Sequence, residues 1–565
     1  MPGLTSSLAR VKQAVLATVA ATACAAALAA PAAAAPLPNV VADDLAPSVK
    51  TKEARSIRVP DGEAVRLGEG GRVVRDLPRA PWALSLDLRP AIGSTIVIDF
   101  GESRLIVSRD EDGIATIRGP GLAATELPLA SFSGTDWRHL ELTGGPEPQL
   151  TIDGQPFPNE LALGQRITIR VATGSAQATA LVAPRRDDRR GALLHRLAEL
   201  HARTPIGKFP LGIGDSDSLL RFSRDWIDGF WPGMLWLAAD LTGPTAPFAG
   251  WARVATERHR GRERDAIHDQ GFRYLLSSAA AHDRECGGRA RGSAACKRLR
   301  LSAVVAANTL VELAAGNEAV GTIPTVAPDG SCRRCASPEE SETIIDSVMN
   351  LGLLGWAWRE RRDPVYRDLA LQHARTVAQL LVRPDGSTAQ SLIASRVDGH
   401  VVSIGTRQGF SDTSTWARGQ GWAVYGFADT ALRFRDRALL AVAERAATYV
   451  AGRLPASGLP PYDYDAPAPA PTDTSAGTIT AASSLRLAQA CEAFPDVCVS
   501  EPSRWRTLGL RMLRASLARV RRLPPIGMLG DQVYSLGGTA TWDDRGEYAF
   551  GLHYAFDAIR RERSG

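Results

Sequence analysis

A chain of 565 residues is too long for one ordinary hydrophobic core, so two or more domains are expected. Its 44% hydrophobic and 22% charged content is that of a folded globular protein. A net charge of +5 over this length, with no dense Lys/Arg block, argues against nucleic acid as a partner. Arginine greatly outnumbers lysine, which suits local recognition of carboxylate or sulfate groups.

The amino terminus reads as a targeting segment, residues 1–35. Arg10 and Lys12 precede an apolar run from Ala14 to Ala30, and Ala32 to Ala35 offer an A-x-A-like cleavage site. Cleavage near Ala35 would leave the protein secreted or periplasmic. The alternative is a lipid anchor on Cys24, although Ala21-Thr22-Ala23 lacks the usual large aliphatic residue. No other segment is long and apolar enough to cross a membrane. The six remaining cysteines form close pairs: Cys286 and Cys296, Cys332 and Cys335, Cys491 and Cys498. In an exported chain this pattern predicts three local disulfides. Cys332-x-x-Cys335 alone would also suit zinc or redox chemistry. With no second such motif, no suitably spaced His pair and no Gly-rich phosphate loop, no metal, nucleotide or flavin is expected.

From residue 36 to about 185 short apolar or alternating runs are separated by Gly and Pro. Examples are Ser85 to Leu88, Thr95 to Phe100 and Ile167 to Val171. The pattern predicts an all-β sandwich. Trp137 to Leu142, followed by Leu150 to Gly154, resembles the paired strands of concanavalin-like and laminin-G-like sandwiches. Such an accessory domain either binds glycan or supports its neighbour.

After the charged linker Arg185 to Arg190 the apolar spacing becomes helical. Helices are predicted at 191–203, 231–241, 247–260, 269–282, 294–315, 344–361, 364–382, 416–433, 436–453, 474–493, 501–518 and 547–562. Twelve helices in sequential pairs imply six hairpins closed into an (α/α)6 toroid over 191–565, the alternative being an open solenoid. Polar and aromatic clusters mark the starts of alternate helices: Trp226 to Trp231, His268-Asp269, Asp346, Trp416 to Arg418, Asp473-Thr474 and Trp542 to Tyr548. If these helices form the inner ring, their N-termini converge on a mouth of positive potential suited to a carboxylate. Tryptophans there suit stacking on sugar faces. The interruption from Leu381 to Thr415 is expected as a loop or hairpin at the same end.

Within 344–361, Thr343 is placed as an N-cap, and Asp346 and Asn350 share one face among apolar neighbours. A carboxyl so placed keeps its proton and suits a general acid; otherwise it answers the helix dipole.

Together, in order, several motifs resemble the unsaturated glucuronyl hydrolases of glycoside hydrolase family 88. They are Gly229 to Trp236, His268 to Phe272, Ile345 to Asn350, Asp385 to Thr388, Gln408 to Asp412, Trp416 to Trp422 and Asp473 to Ala476. The match covers about residues 195 to 565. The resemblance implies an (α/α)6 barrel that removes a 4,5-unsaturated uronic acid from the non-reducing end of lyase-generated oligosaccharides, by hydrating a vinyl ether. It implies Asp346 as general acid/base and Asp269 as the second carboxylate. Gln408, Arg418 and Trp422 match further substrate-binding positions, the alternatives for the last two being a helix-start ion pair and a core tryptophan. Trp226 either stacks on sugar or packs. Gln390 stands where the family usually has a histidine, and an amide cannot change charge near neutral pH. The segment Gly316 to Glu340 looks inserted relative to the family. Two other readings share this sequence: an unsaturated rhamnogalacturonyl hydrolase, and a non-catalytic secreted glycan-binding protein.

Overall fold

A computed structural model describes residues 189–564, apart from 215–218, 224, 244–245, 327–330, 522–527 and 536–544, together with thirteen strands between 54 and 183. The proposed targeting segment and Cys24 lie outside the described residues.

The thirteen strands form two sheets, one of seven strands and one of six, with every pairing antiparallel. The pair expected from the tryptophan-led motif is present: Gln149–Ile152 lies antiparallel to Arg138–Gly144. In the strands Thr95–Asp99 and Arg104–Arg109, Ile96, Ile98, Leu105 and Val107 are fully buried.

The remainder is helical. The helices are α1 (Arg189–Arg203), α2 (Phe230–Thr242), α3 (Phe248–His259) and α4, a π-helical stretch Gly271–Ala279 continuing as α-helix Ala280–Glu285. They continue with α5 (Ala294–Ala314), α6 (Leu351–Arg361), α7 (Pro364–Leu381) and α8 (Ala417–Phe434). The last four are α9 (Arg437–Arg453), α10 (Thr474–Ala493), α11 (Pro502–Leu517) and α12 (Ala549–Ser564). Local chemistry sets several ends. Asp363 accepts from Val365 N at 3.1 Å with Pro364 at the first helical position, Asp436 caps α9, and Arg362 and Arg435 end α6 and α8 in the left-handed region.

The even-numbered helices form the inner ring. Each packs on the next, and α12 returns to pack on α2, so the ring is closed and the open solenoid is excluded. Glycines set the close approaches. A Cβ on Gly426 of α8 would meet Val348 at 2.4 Å, and one on Gly233 of α2 would meet His553 of α12 at 2.8 Å. The core holds Trp356, Trp422 and Trp505 among its largest sealed side chains, and Arg196, Arg273 and Arg418 are sealed within it too. The three cysteine pairs are bonded as expected.

Two small sheets sit among the helices. The first joins Glu340–Ile344, Ser391–Ser395 and Val401–Gly405, so the interruption before α8 is indeed a hairpin. The second joins Leu220–Phe222, Pro210–Gly214, Arg545–Tyr548 and Gln532–Val533. Buried Arg196 of α1 clamps this second sheet through Glu547 at 2.8 Å.

The first sheet corrects one expectation. Thr343 is not an N-cap: it lies in the strand Glu340–Ile344, and its hydroxyl meets that of Thr322 at 2.7 Å. The β-branched run Thr343-Ile344-Ile345 is stiff and favours a pleated strand. Helical geometry begins only at Ile345, as a 3₁₀ turn Ile345–Asn350 leading into α6.

Candidate active site

The first turns of the six inner helices meet at one end of the ring. Phe272 N at the start of α4 donates to Asn350 Oδ1 at the entry to α6, 3.1 Å away. Gly419 in the first turn of α8 lies against Ile345, and Arg418 stacks over Phe550 of α12 at 4.7 Å. Thr478 of α10 donates to the carbonyl of Gly551 in α12. Trp226, just before α2, stacks on Phe550 and tilts against Phe272. The described residues of the clusters at alternate helix starts are thereby brought together; Trp542 lies outside the described residues.

Asp346 occupies the 3₁₀ turn. Its backbone neighbour Ile345 donates to the Gln390 carbonyl at 2.8 Å, tying the turn to the hairpin. The residue is half-buried, yet Oδ2 is sealed from solvent and has no hydrogen-bond partner among the described residues. A buried ionised oxygen without a donor is costly, so the carboxyl keeps its proton. Burial raises its pKa to about 7; the Asp269 charge adds to this, and Arg418 and Arg407 oppose it.

Asp269 lies two residues before the π-helical stretch, a backbone form that recurs at functional sites. Burial first, then the charge of Asp225, raises it to about 7, while a hydrogen bond from Asn350 Nδ2 at 3.3 Å opposes the rise. His268 Nε2 is 3.2 Å from the other oxygen. Burial holds that imidazole down at about 4, so it is neutral near pH 7 and supplies no counter-charge.

Asn350 therefore does two things: its Oδ1 holds the backbone of α4 and its Nδ2 holds Asp269. The close seat depends on Gly271, whose Cβ would lie 2.3 Å from Asn350 Cα. Gly271→Ala is expected to cost about 1–3 kcal/mol of stability and to lower kcat by shifting Asp269. Thermal melts alongside turnover measurements check both effects.

The five expected binding residues divide. Trp226 and Gln408 are half-buried at the mouth. The Trp226 indole N–H reaches Tyr534 Oη at 3.4 Å, and Gln408 Nε2 donates to the Tyr534 carbonyl at 3.1 Å. Arg418 is buried, and its fork is already used: Nη1 donates to the Val533 carbonyl and Nη2 to that of Tyr534. Its guanidinium lies between Trp416 and Phe550, with Asp473 3.8 Å away. Trp422 is fully buried, tilted against Phe272 and edge-on to Tyr554, and presents no face to the mouth.

Gln390 is buried too, and it organises a loop. Its Oε1 accepts from the Thr406 hydroxyl and from the amides of Arg407 and Gln408, at 2.7–2.8 Å, while Nε2 donates to Gln408 Oε1. A neutral imidazole nitrogen offers a single lone pair, so a histidine could not take all three donors. Gln390→Leu is expected to cost about 2–3 kcal/mol and to raise KM by loosening residues 406–408. Paired melting and steady-state measurements test this.

Arg407 is the residue the sequence reading missed. The only available signal was a cation directly before Gln408 in a mouth motif. Its charge acts on His268, Asp269 and Asp346 together.

No family model matches the chain. The unsaturated glucuronyl hydrolase of Bacillus sp. (strain GL1) is 34% identical over 288 residues, covering 50% of this chain and 72% of that protein. The unsaturated glucuronyl hydrolase of Formosa agariphila is 30% identical over 247 residues, covering 43% of this chain and 57% of that protein. Among solved structures, a UGL with dGlcA-Glc-Rha-Glc superposes with a TM-score of 0.58 at 27% identity, covering 66% of this chain and 96% of that one. These likenesses, with the closed ring, define a glycoside hydrolase built on an (α/α)6 toroid. Within that class, the chain belongs to the unsaturated glucuronyl hydrolases, glycoside hydrolase family 88.

Proposed function

We propose that this enzyme removes a 4,5-unsaturated uronic acid from the non-reducing end of lyase-generated oligosaccharides. The carrying observation is the sealed, unpartnered Oδ2 of Asp346, a carboxyl that holds its proton up to about pH 7. Asp346 delivers that proton to C4 of the double bond, leaving oxocarbenium character at C5 and the ring oxygen. The resulting carboxylate then takes a proton from water as the water oxygen bonds to C5. The product is a hemiketal, which opens spontaneously and releases the remaining glycan. Net, one water adds and one glycosidic bond is lost. Asp269, held by Asn350, orients the ring hydroxyls and supports the charge at C5. The usual rule relating carboxyl separation to stereochemistry concerns attack at the anomeric carbon and does not govern this route. A relative solved with dGlcA-Glc-Rha-Glc supports the substrate class.

In the same reading, the two amino-terminal sheets form a concanavalin-like sandwich, residues 36–185, accessory to the catalytic region 191–565. The protein works in an oxidising compartment, secreted or periplasmic, which its three disulfides support. Among the described residues no helix is long and apolar enough to cross a membrane.

The test follows the ultraviolet absorbance of the conjugated double bond across a panel of unsaturated disaccharides. Loss of absorbance is expected, and the preferred disaccharide identifies the parent polysaccharide. No loss on any unsaturated uronide, with glycan binding retained, would instead make the protein a glycan-binding module on a retired barrel.

A further inference from the structure

We infer that His373 is a positioning residue for the general acid: through Ser347 it joins the segment 316–340 to the turn that carries Asp346. This rests on the hydrolytic reading above and adds what fixes the aim of the proton donor.

The connection is a directed chain of hydrogen bonds. His373 lies on α7, and it, Ser347 and Ile323 are all buried. The Ile323 amide, which can only donate, meets His373 Nδ1 at 2.9 Å. Nδ1 is therefore bare, and the proton of the neutral imidazole sits on Nε2. Nε2 lies 2.9 Å from the Ser347 hydroxyl and donates to it. The serine proton is left for the Ile344 carbonyl, to which it donates. The order cannot reverse without stranding a buried group. Burial first, and then the neighbouring His268, hold the imidazole down at about 3, so this tautomer persists across the pH range in which Asp346 works.

The far end of the chain is anchored. Asn317 Nδ2 donates to the Thr322 carbonyl at 2.8 Å, and Asn317 Oδ1 accepts from the Ser341 hydroxyl at 2.7 Å. The Thr325 amide donates to the Glu342 carbonyl at 2.7 Å, beyond the Thr322–Thr343 contact already described. Residues 317–325 are thus fastened along the strand Glu340–Ile344, and Ile323 has a fixed place from which to hold the ring.

The near end governs the acid. Asp346 is the second residue of the turn Ile345–Asn350, and Ser347 follows it directly. The turn is pinned at its start by the Ile345 amide and the Ser347 hydroxyl, and at its end by Asn350. A turn released at Ser347 would carry the Asp346 carboxyl with it. Misplacing a reacting group by about 1 Å costs about a hundredfold in rate. His373 is sealed from solvent, so its influence on the chemistry passes through Ser347.

Ser347→Ala, His373→Asn and His373→Gln provide the test, with an unsaturated disaccharide as substrate. Alanine removes both bonds at the turn. Asparagine keeps an acceptor for Ile323 but is too short for Ser347, whereas glutamine extends an amide donor to it. Ser347→Ala and His373→Asn are expected to lower kcat about ten- to a hundredfold, with KM within about twofold of wild type. In both, the loosened turn wets Asp346 Oδ2 and its pKa falls toward the ordinary carboxylate range, so kcat begins to decline at lower pH. The charged groups facing Asp346 stay as they are: Asp269 ahead of α4, Arg418 on α8 and Arg407 after the hairpin. His373→Gln should restore most of kcat and the original pH limb. Lower melting temperatures with kcat and the pH limb unmoved overturn the assignment, as does a rise in KM with kcat intact. If the His373 variants fail to fold, Ser347→Ala decides alone. Infrared titration of the carboxylic-acid band that Asp346→Asn abolishes reads the same pKa without turnover. A wild type that consumes no double bond counts against the hydrolytic reading, whereas a lowered Asp346 pKa in Ser347→Ala still supports the positioning and an unmoved one overturns it.

Discussion

Asp346→Asn is expected to abolish the loss of double-bond absorbance, lowering kcat by about a hundred- to ten-thousand-fold while KM changes little. An amide preserves the shape of the site but has no proton to give to C4. In the wild type the acid form is required, so kcat should fall as pH rises through about 7. The stability effect runs the other way. An aspartate whose folded pKa is raised binds more protons in the folded state than in the unfolded one. It has no effect below about pH 4, where both states are protonated. Destabilisation grows above that and is complete once pH exceeds about 7. The full penalty is about 2–4 kcal/mol, allowing for the partial exposure of Asp346. The dead variant should therefore melt above the wild type at pH 8 and level with it at pH 4. An Asn variant that retains turnover would remove Asp346 from the chemistry. One that melts lower at pH 8 would mean its carboxyl is paired.

The second large effect is expected at Arg418. Arg418→Gln should cost about 3–5 kcal/mol and most of the activity, read by urea unfolding and turnover together. Three groups lose an interaction at once: the carbonyl of Val533, that of Tyr534, which keeps only Gln408 as a donor, and buried Asp473, whose Oδ2 has no hydrogen bond and lies near this cation. Burial already raises the Asp473 pKa, and without Arg418 it would rise further. Lysine is no substitute, since one ammonium cannot span two carbonyls while lying flat between Trp416 and Phe550. A loss of affinity without loss of stability would show that Arg418 serves the ligand instead.

The helices were legible because their apolar stripes and ends agree. Asp473 caps α10 and Asp363-Pro364 opens α7, and both were readable from neighbouring residues. The strand before Asp346 was not, because Ile345, Val348 and Met349 fit helical spacing whatever precedes them. What decides the strand is pairing with Leu392, distant in sequence. The acid pair was visible as two aspartates at alternate helix starts. Asn350, which holds Asp269, was visible only as a residue on the same face as Asp346. Trp422 shows the limit most clearly. Its spacing from Arg418 puts both on the inner face of α8, but Tyr554 of α12 makes it core. Gln390 reads from sequence as a missing histidine, whereas its oxygen is the seat of a loop.

The return of α12 onto α2 has a consequence for how the enzyme comes into being. The seam joins helices from opposite ends of the helical region, and the mouth needs both: Trp226 ahead of α2 and Phe550 in α12 stack there. During synthesis no active site can exist until the last helix emerges, and the earlier hairpins wait with an apolar edge uncovered. Folding is therefore a late, nearly all-or-none event. A nick or truncation within α12 would silence the enzyme while leaving Asp269 and Asp346 untouched.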